Sequence, residues 1–170
     1  TFGDFSVSYP VARGGAAALA AIGGVLFLSD HLTWPNAVGI AIVVAGLSLL
    51  AVGATGRGLA VALGVSVTIA VYSVFDAAGS RTKRDTIAYI FASMIGGATS
   101  NTMFGLVSGR AAMMRETLRA RWKVSILTGS ATTLTYGMVL VGFRLAPVGY
   151  VTALRESSVV IAALAGWKLL

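Results

Sequence analysis

The chain has 170 residues, 56% of them hydrophobic and only 11% charged, with a mean hydropathy of +0.85. A soluble domain carries about 25% charged residues, so the composition excludes an ordinary water-soluble domain and leaves an all-α, polytopic membrane protein; its apolar runs are long and do not alternate, which excludes a β-barrel. The net charge of +7 gathers in and beside the loops, the usual dressing of membrane loops rather than a nucleic-acid footprint, and the absence of cysteine rules out disulfides and thiolate metal sites.

Six spanning helices are expected, over residues 6–28, 37–52, 60–79, 85–107, 124–143 and 148–170. Nothing before the first of them resembles a cleavable signal peptide, since the chain opens at Thr1 with no basic n-region. The first helix carries Tyr9-Pro10-Val11-Ala12-Arg13-Gly14. Arg13 falls roughly 12 Å into a hydrocarbon layer about 30 Å thick. A guanidinium at that depth costs at least about 2.5–3.5 kcal/mol, so it faces a polar cavity or a partner. Pro10 removes a backbone donor and frees the Ser6 carbonyl, which predicts a kink or local break.

The polar loop Ser29-Asp30-His31-Leu32-Thr33-Trp34-Pro35-Asn36 follows, with Trp34 suited to the headgroup level and Asn36 able to cap the second helix. His31 is the only histidine, so no histidine metal site is expected. In the second helix Gly39, Gly46 and Gly53 recur every seven residues, a stripe for close helix approach. The third ends in Tyr72, Ser73 and Asp76 on one side. Asp76 reads either as an interfacial carboxylate paired with Arg81 or Arg84, or as a cavity acid that pairs with Arg13 or Arg155 or carries a proton.

The fourth helix contains the polar interruption Gly96-Gly97-Ala98-Thr99-Ser100-Asn101-Thr102, which needs partners inside the bundle and makes a bend or a cavity wall. The basic segment 110–123 reads as a short helix at the membrane surface or a solvated loop near anionic lipid. The fifth helix aligns Gly129, Thr132, Thr133 and Tyr136, whose hydroxyls either bond helix carbonyls or line a cavity. Pro147 starts the sixth, where proline in a first turn is ordinary.

The first and last helices superimpose. Placing Arg13 on Arg155 puts Ala20 on Ala162, Gly24 on Gly166 and Leu28 on Leu170. Each face carries a charge followed by small residues. This pairing marks a transport pathway more than it identifies a cargo.

The first helix, its short loop and the Gly-rich second helix ending in Gly46-Leu47-Ser48-Leu49-Leu50 resemble the end of an EamA domain, the repeat unit of the drug/metabolite transporter superfamily. Arg144-Leu145-Ala146-Pro147 and the sixth helix look like the same place in a second repeat. The resemblance covers nearly the whole chain through degenerate motifs. It implies part of a ten-helix, inverted-repeat transporter, in which residues 1–53 are the last two helices of one repeat and residues 58–170 the first four of the next. A polar loop and a further helix would then follow Leu170. The Gly-Glu common in the family is Ser29-Asp30 here, so no role of that acid carries over. The family's orientation would place loop 81–84 in the cytoplasm, whereas the loop charges favour the side bearing Arg57, Arg110, Arg115, Arg119, Arg121 and Lys123.

The expected function is secondary transport of a small metabolite or drug-like compound, with its site near the midplane between repeats. Arg13 and Arg155 would bind an anionic group, or hold the cavity through an acid pair with Asp76 or Glu156. Tyr9, Tyr72 and Tyr136 would add hydroxyls and aromatic faces. A lipid-carrier flippase of the same superfamily and an inert truncated membrane fragment are the alternatives. An enzyme is not expected, since there is no Gly-x-Ser-x-Gly and His31 stands in a loop; no cofactor is expected either. The expected partners are a small-molecule substrate, membrane lipid, a coupling ion or proton and a second copy in a homodimer, with no nucleic acid. The expected location is multi-pass in a bacterial inner membrane.

Overall fold

The computed structural model describes residues 5–49, 56–82 and 85–169, with side chains of the last helix as far as Ser158. Among them every regular element is helical: α1 (Phe5–Leu28), α2 (Trp34–Leu49), α3 (Gly56–Arg81), α4 (Thr86–Val107), α5 (Ala111–Leu145) and α6 (Val148–Leu169), with no strand. Four contain stretches long and apolar enough to cross a membrane: Val11–Leu28, Gly58–Arg81, Thr86–Val107 and Ala111–Leu145. The apolar part of α2, Trp34–Gly46, is shorter.

Three local expectations change. α1 runs unbroken through Pro10; only one carbonyl loses its donor there, in the second turn, where the neighbouring bonds hold the helix. α2 starts at Trp34, with Ala37 N donating to the Thr33 carbonyl at 3.0 Å. Pro35 therefore sits in the first turn, where its missing N–H costs nothing, and Asn36 lies inside the helix instead of capping it. α3 begins at Gly56, four residues earlier than the apolar run suggests, with φ +52° that glycine adopts at little cost.

The chain divides into two compact units, Thr1–Ala78 with Gly142–Leu170, and Gly79–Val141. In the first, α1 packs against α2 and α6, and α2 against α6. Small side chains allow the approach: Ala12, Ala16, Ala17, Ala20 and Ala21 are all buried. Gly149 of α6 sits against Ala21, and Gly15 and Gly23 sit against Ser66 and Val74 of α3. α3 returns a buried stripe of Ala62, Ser66, Ala70, Ser73 and Ala77, at spacings of three and four. Ser66 Oγ lies 2.9 Å from the Ala12 carbonyl of α1 and 3.0 Å from that of Ala62 in its own helix, so it donates across the interface as well as within α3. The glycine stripe of α2 behaves otherwise: a Cβ on Gly39 or Gly46 would meet nothing within 4 Å, and Gly53 lies outside the described residues.

α1 closes at Ser29, in the left-handed region with φ +56°, and Asp30 N bonds back to the Gly24 carbonyl at 3.1 Å. The Asp30 carboxylate then accepts a 2.7 Å hydrogen bond from Val148 N, at the first turn of α6. That N–H has no partner within its own helix, so a loop residue far away in sequence supplies the cap. Gly24 makes room for it, since a Cβ there would lie 2.6 Å from Asp30 Oδ2 and 3.3 Å from Val148 Cβ.

In the second unit Asp85 caps α4 through Ile87 N at 3.0 Å. The Tyr89 ring covers Gly79, and Ile90 packs 3.6 Å from where a Gly137 Cβ would stand. α4 turns into α5 at Gly109 (φ +71°), with Arg110 N bonded to the Gly105 carbonyl at 2.9 Å and Met114 packed on Gly105. The polar stretch 96–102 is helical and exposed, and Gly96 and Gly97 have open space before them. Within this unit it lines no interior, because continuous α-helical bonding already satisfies its backbone. Segment 111–120 is helical, and α5 loses regular geometry at Arg121 (φ −130°, ψ 31°) before continuing to Leu145.

Candidate functional site

α1 and α6 run antiparallel: Gly24 lies beside Val148, Ala21 beside Gly149, and Arg13 beside Glu156. The step from Val148 to Glu156 is roughly 12 Å along the axis, and from Gly24 to Arg13 roughly 16 Å. With the Asp30 loop at one membrane surface, the charges fall near the middle of a hydrocarbon layer about 30 Å thick.

There they form a cluster. Arg13 Nε lies 2.7 Å from Glu156 Oε2, and Arg155 Nε lies 3.6 Å from Glu156 Oε1. The Glu156 side chain is fully buried, while those of Arg13 and Arg155 keep 19% and 15% of their surface. Arg155 Nη2 donates to Tyr72 Oη at 3.4 Å, which ties α6 to α3. The Arg13 guanidinium stands 5.7 Å from the centre of the Tyr9 ring, within cation–π range. Consecutive helix residues diverge by about 100°. Glu156 therefore faces α1 while Arg155 turns toward α3, and one helix supplies both an acid for Arg13 and a second base.

The contacts within the cluster are ionic more than directional. Among the described residues neither Glu156 oxygen accepts a hydrogen bond of good geometry. Arg13 reaches the carboxylate with Nε, at 2.7 Å from Oε2. Two guanidiniums around one carboxylate suit exchange of that carboxylate for another anionic group. Ser73 Oγ, on the buried stripe next to Tyr72, has no hydrogen-bond partner among the described residues.

The structure thus brings together Arg13, Arg155, Tyr9 and Tyr72. The acid that reaches both arginines is Glu156; Asp76 stands half-buried one turn beyond Tyr72 in α3. Tyr136 belongs to the second unit, half-buried on α5. Ala20 and Gly24, on the face of Arg13, are buried; the side chains of Ala162 and of residue 166 lie outside the described set. Sequence reasoning missed Ser66 and Asp30. The first was detectable, since Ser66, Ser73 and Ser80 recur every seven residues; the second had no local signal.

A separate apolar groove of about 560 Å³ runs between α1 and α3, lined by Leu19, Ile22, Leu26, Val67, Val71 and Phe75 among others. No three His, Cys, Asp or Glu side chains gather as metal ligands among the described residues. Comparison of the chain with protein-family models, curated proteins and solved structures finds no match.

Proposed function

We infer that the chain belongs to an integral membrane secondary transporter for a small metabolite or drug-like compound carrying an anionic group. The observation that carries this reading is the buried Arg13–Glu156–Arg155 cluster at mid-depth between helices. Charges placed there are expensive, and they mark substrate or ion pathways more often than plain packing. Glu156 acts as the resident counter-ion of Arg13. A substrate anion takes its place, and the released carboxylate then binds a coupling proton or cation. The EamA resemblance gives the frame: a ten-helix inverted repeat, with residues 1–53 closing one half and residues 58–170 opening the other. In that frame the cluster lies near the repeat interface.

The test is transport by the complete protein in proteoliposomes against a metabolite panel. Arg13→Ala and Arg155→Ala are expected to lose most transport per folded, inserted molecule; Arg110→Ala, in the α4–α5 turn, is expected to keep it. Equal transport in all three variants would remove the cluster from the pathway. A second reading, a lipid-carrier flippase, is favoured by the wholly apolar lining of the α1–α3 groove. It predicts lipid-linked rather than water-soluble substrates in the same panel.

A further inference from the structure

α5 is 35 residues long. At about 1.5 Å per residue its path, bent at Arg121, is roughly 52 Å long, against a hydrocarbon layer of about 30 Å. Residues 124–145 alone cover that layer, at about 33 Å. The first third of the helix therefore lies outside it, and its sequence agrees: Arg115, Arg119, Arg121 and Lys123 follow Arg110, with Glu116 the only acid. The break in helical geometry at Arg121 falls where the surface segment gives way to the spanning one.

Within the surface segment Met114, Leu118 and Trp122 recur every four residues, and Arg115 and Arg119 run beside them one residue on. Together with Leu106 from the end of α4 these side chains line a shallow groove of about 550 Å³, apolar along its floor and edged by the two arginines. Leu118 and Trp122 are each more than half exposed. Lys123 Nζ stands 5.7 Å from the Trp122 ring, which adds a third cation at that end.

We propose that this groove is a binding site for an anionic phospholipid, with the phosphodiester on Arg115 and Arg119 and the first part of an acyl chain along Leu106, Met114, Leu118 and Trp122. Side chains four apart on a helix have Cβ atoms about 5–6 Å apart, so the two guanidiniums can grip one phosphate from both sides. Guanidinium forks match phosphate oxygens two at a time. An apolar floor continuous with that grip favours a lipid over a soluble phosphate, and a segment at the membrane surface meets lipid first. The site is independent of the transport reading, because it lies in the other unit and uses none of the cluster's residues.

The test keeps Trp122 as the sole tryptophan of the complete protein, with every other one, Trp34 and Trp167 among them, changed to Phe, and reconstitutes it in phosphatidylcholine vesicles. Its fluorescence is read as brominated phosphatidylglycerol or brominated phosphatidylcholine is added. The expected result is a preference for phosphatidylglycerol of about thirtyfold, the scale set by two arginines near an anionic headgroup at about 1 kcal/mol each. That preference should fall to near unity in the Arg115→Gln/Arg119→Gln variant and persist in Arg144→Gln. Equal quenching by the two lipids, or a preference that survives the double substitution, would overturn the proposal. Loss of the preference in excess inorganic phosphate would overturn it too, by showing a small-anion site.

Discussion

Removing the Glu156 carboxylate is the sharpest perturbation of the first unit. In Glu156→Ala, Arg13 and Arg155 both lose an ionic partner in a buried setting. Breaking a buried pair by deleting one member costs about 3–5 kcal/mol, chiefly because the surviving charge is left uncompensated. Arg13 and Arg155 retain 19% and 15% side-chain exposure, which lets water screen part of that cost and points to the lower end, about 3 kcal/mol. Glu156→Gln keeps the shape of the side chain but removes its charge, and because the contact is ionic more than directional it should lose nearly as much. Arg13→Ala/Glu156→Ala should cost less than the sum of its single changes, by about 1–3 kcal/mol, because the second deletion removes the charge that the first exposed. Equilibrium unfolding of the purified protein in mixed micelles, followed by tryptophan fluorescence as sodium dodecyl sulfate is raised, measures all four. If Glu156→Ala lies within about 0.5 kcal/mol of the unmodified protein, or the cycle is additive, the pair carries no coupling and the counter-ion argument fails.

Asp30→Ala should destabilise the protein by about 1 kcal/mol through loss of the α6 cap. Gly24→Ala should cost at least as much in the unmodified protein but less in the Asp30→Ala background, where the displaced carboxylate is already gone; equal costs in both backgrounds would contradict the contact. Because the sequence has no cysteine, single cysteines at Met113 and Pro147 can be labelled cleanly from either side. They should react from opposite sides of the membrane, and labelling from the same side would show that α5 does not cross it.

The six helices were legible from their apolar runs, and four of them contain stretches long and apolar enough to cross a membrane among the described residues, where six spans were expected. Their ends were less so. The start of α3 at Gly56-Arg57-Gly58 has neither the composition nor the pattern of a helix and depends on one positive φ. Pro35 read as a boundary marker because proline serves equally before a helix and within its first turn. The arginines stood out by the cost of their depth, but that Glu156 reaches both of them was not decidable from the chain, because it depends on the antiparallel register of α1 and α6. The polar run 96–102 is helical and exposed within its unit. Its side chains suggested an interior, yet a helix satisfies its own backbone.

The Asp30–Val148 bond has a consequence for how the protein is made. Its partners are 118 residues apart. At about 5–20 residues per second of synthesis, the Asp30 carboxylate waits roughly 6–24 s before the backbone it caps exists. Arg13 waits longer still, since Glu156 is translated after Val148. Throughout that interval the Arg13 charge lacks its Glu156 counter-ion, and a bilayer admits such a segment reluctantly. Until α6 emerges, α1 is therefore sheltered by the insertion machinery or by neighbouring helices, or stays shallow. A nascent chain arrested between Arg144 and Val148 is expected to keep α1 accessible to water-soluble reagents, and one arrested beyond Leu170 to protect it.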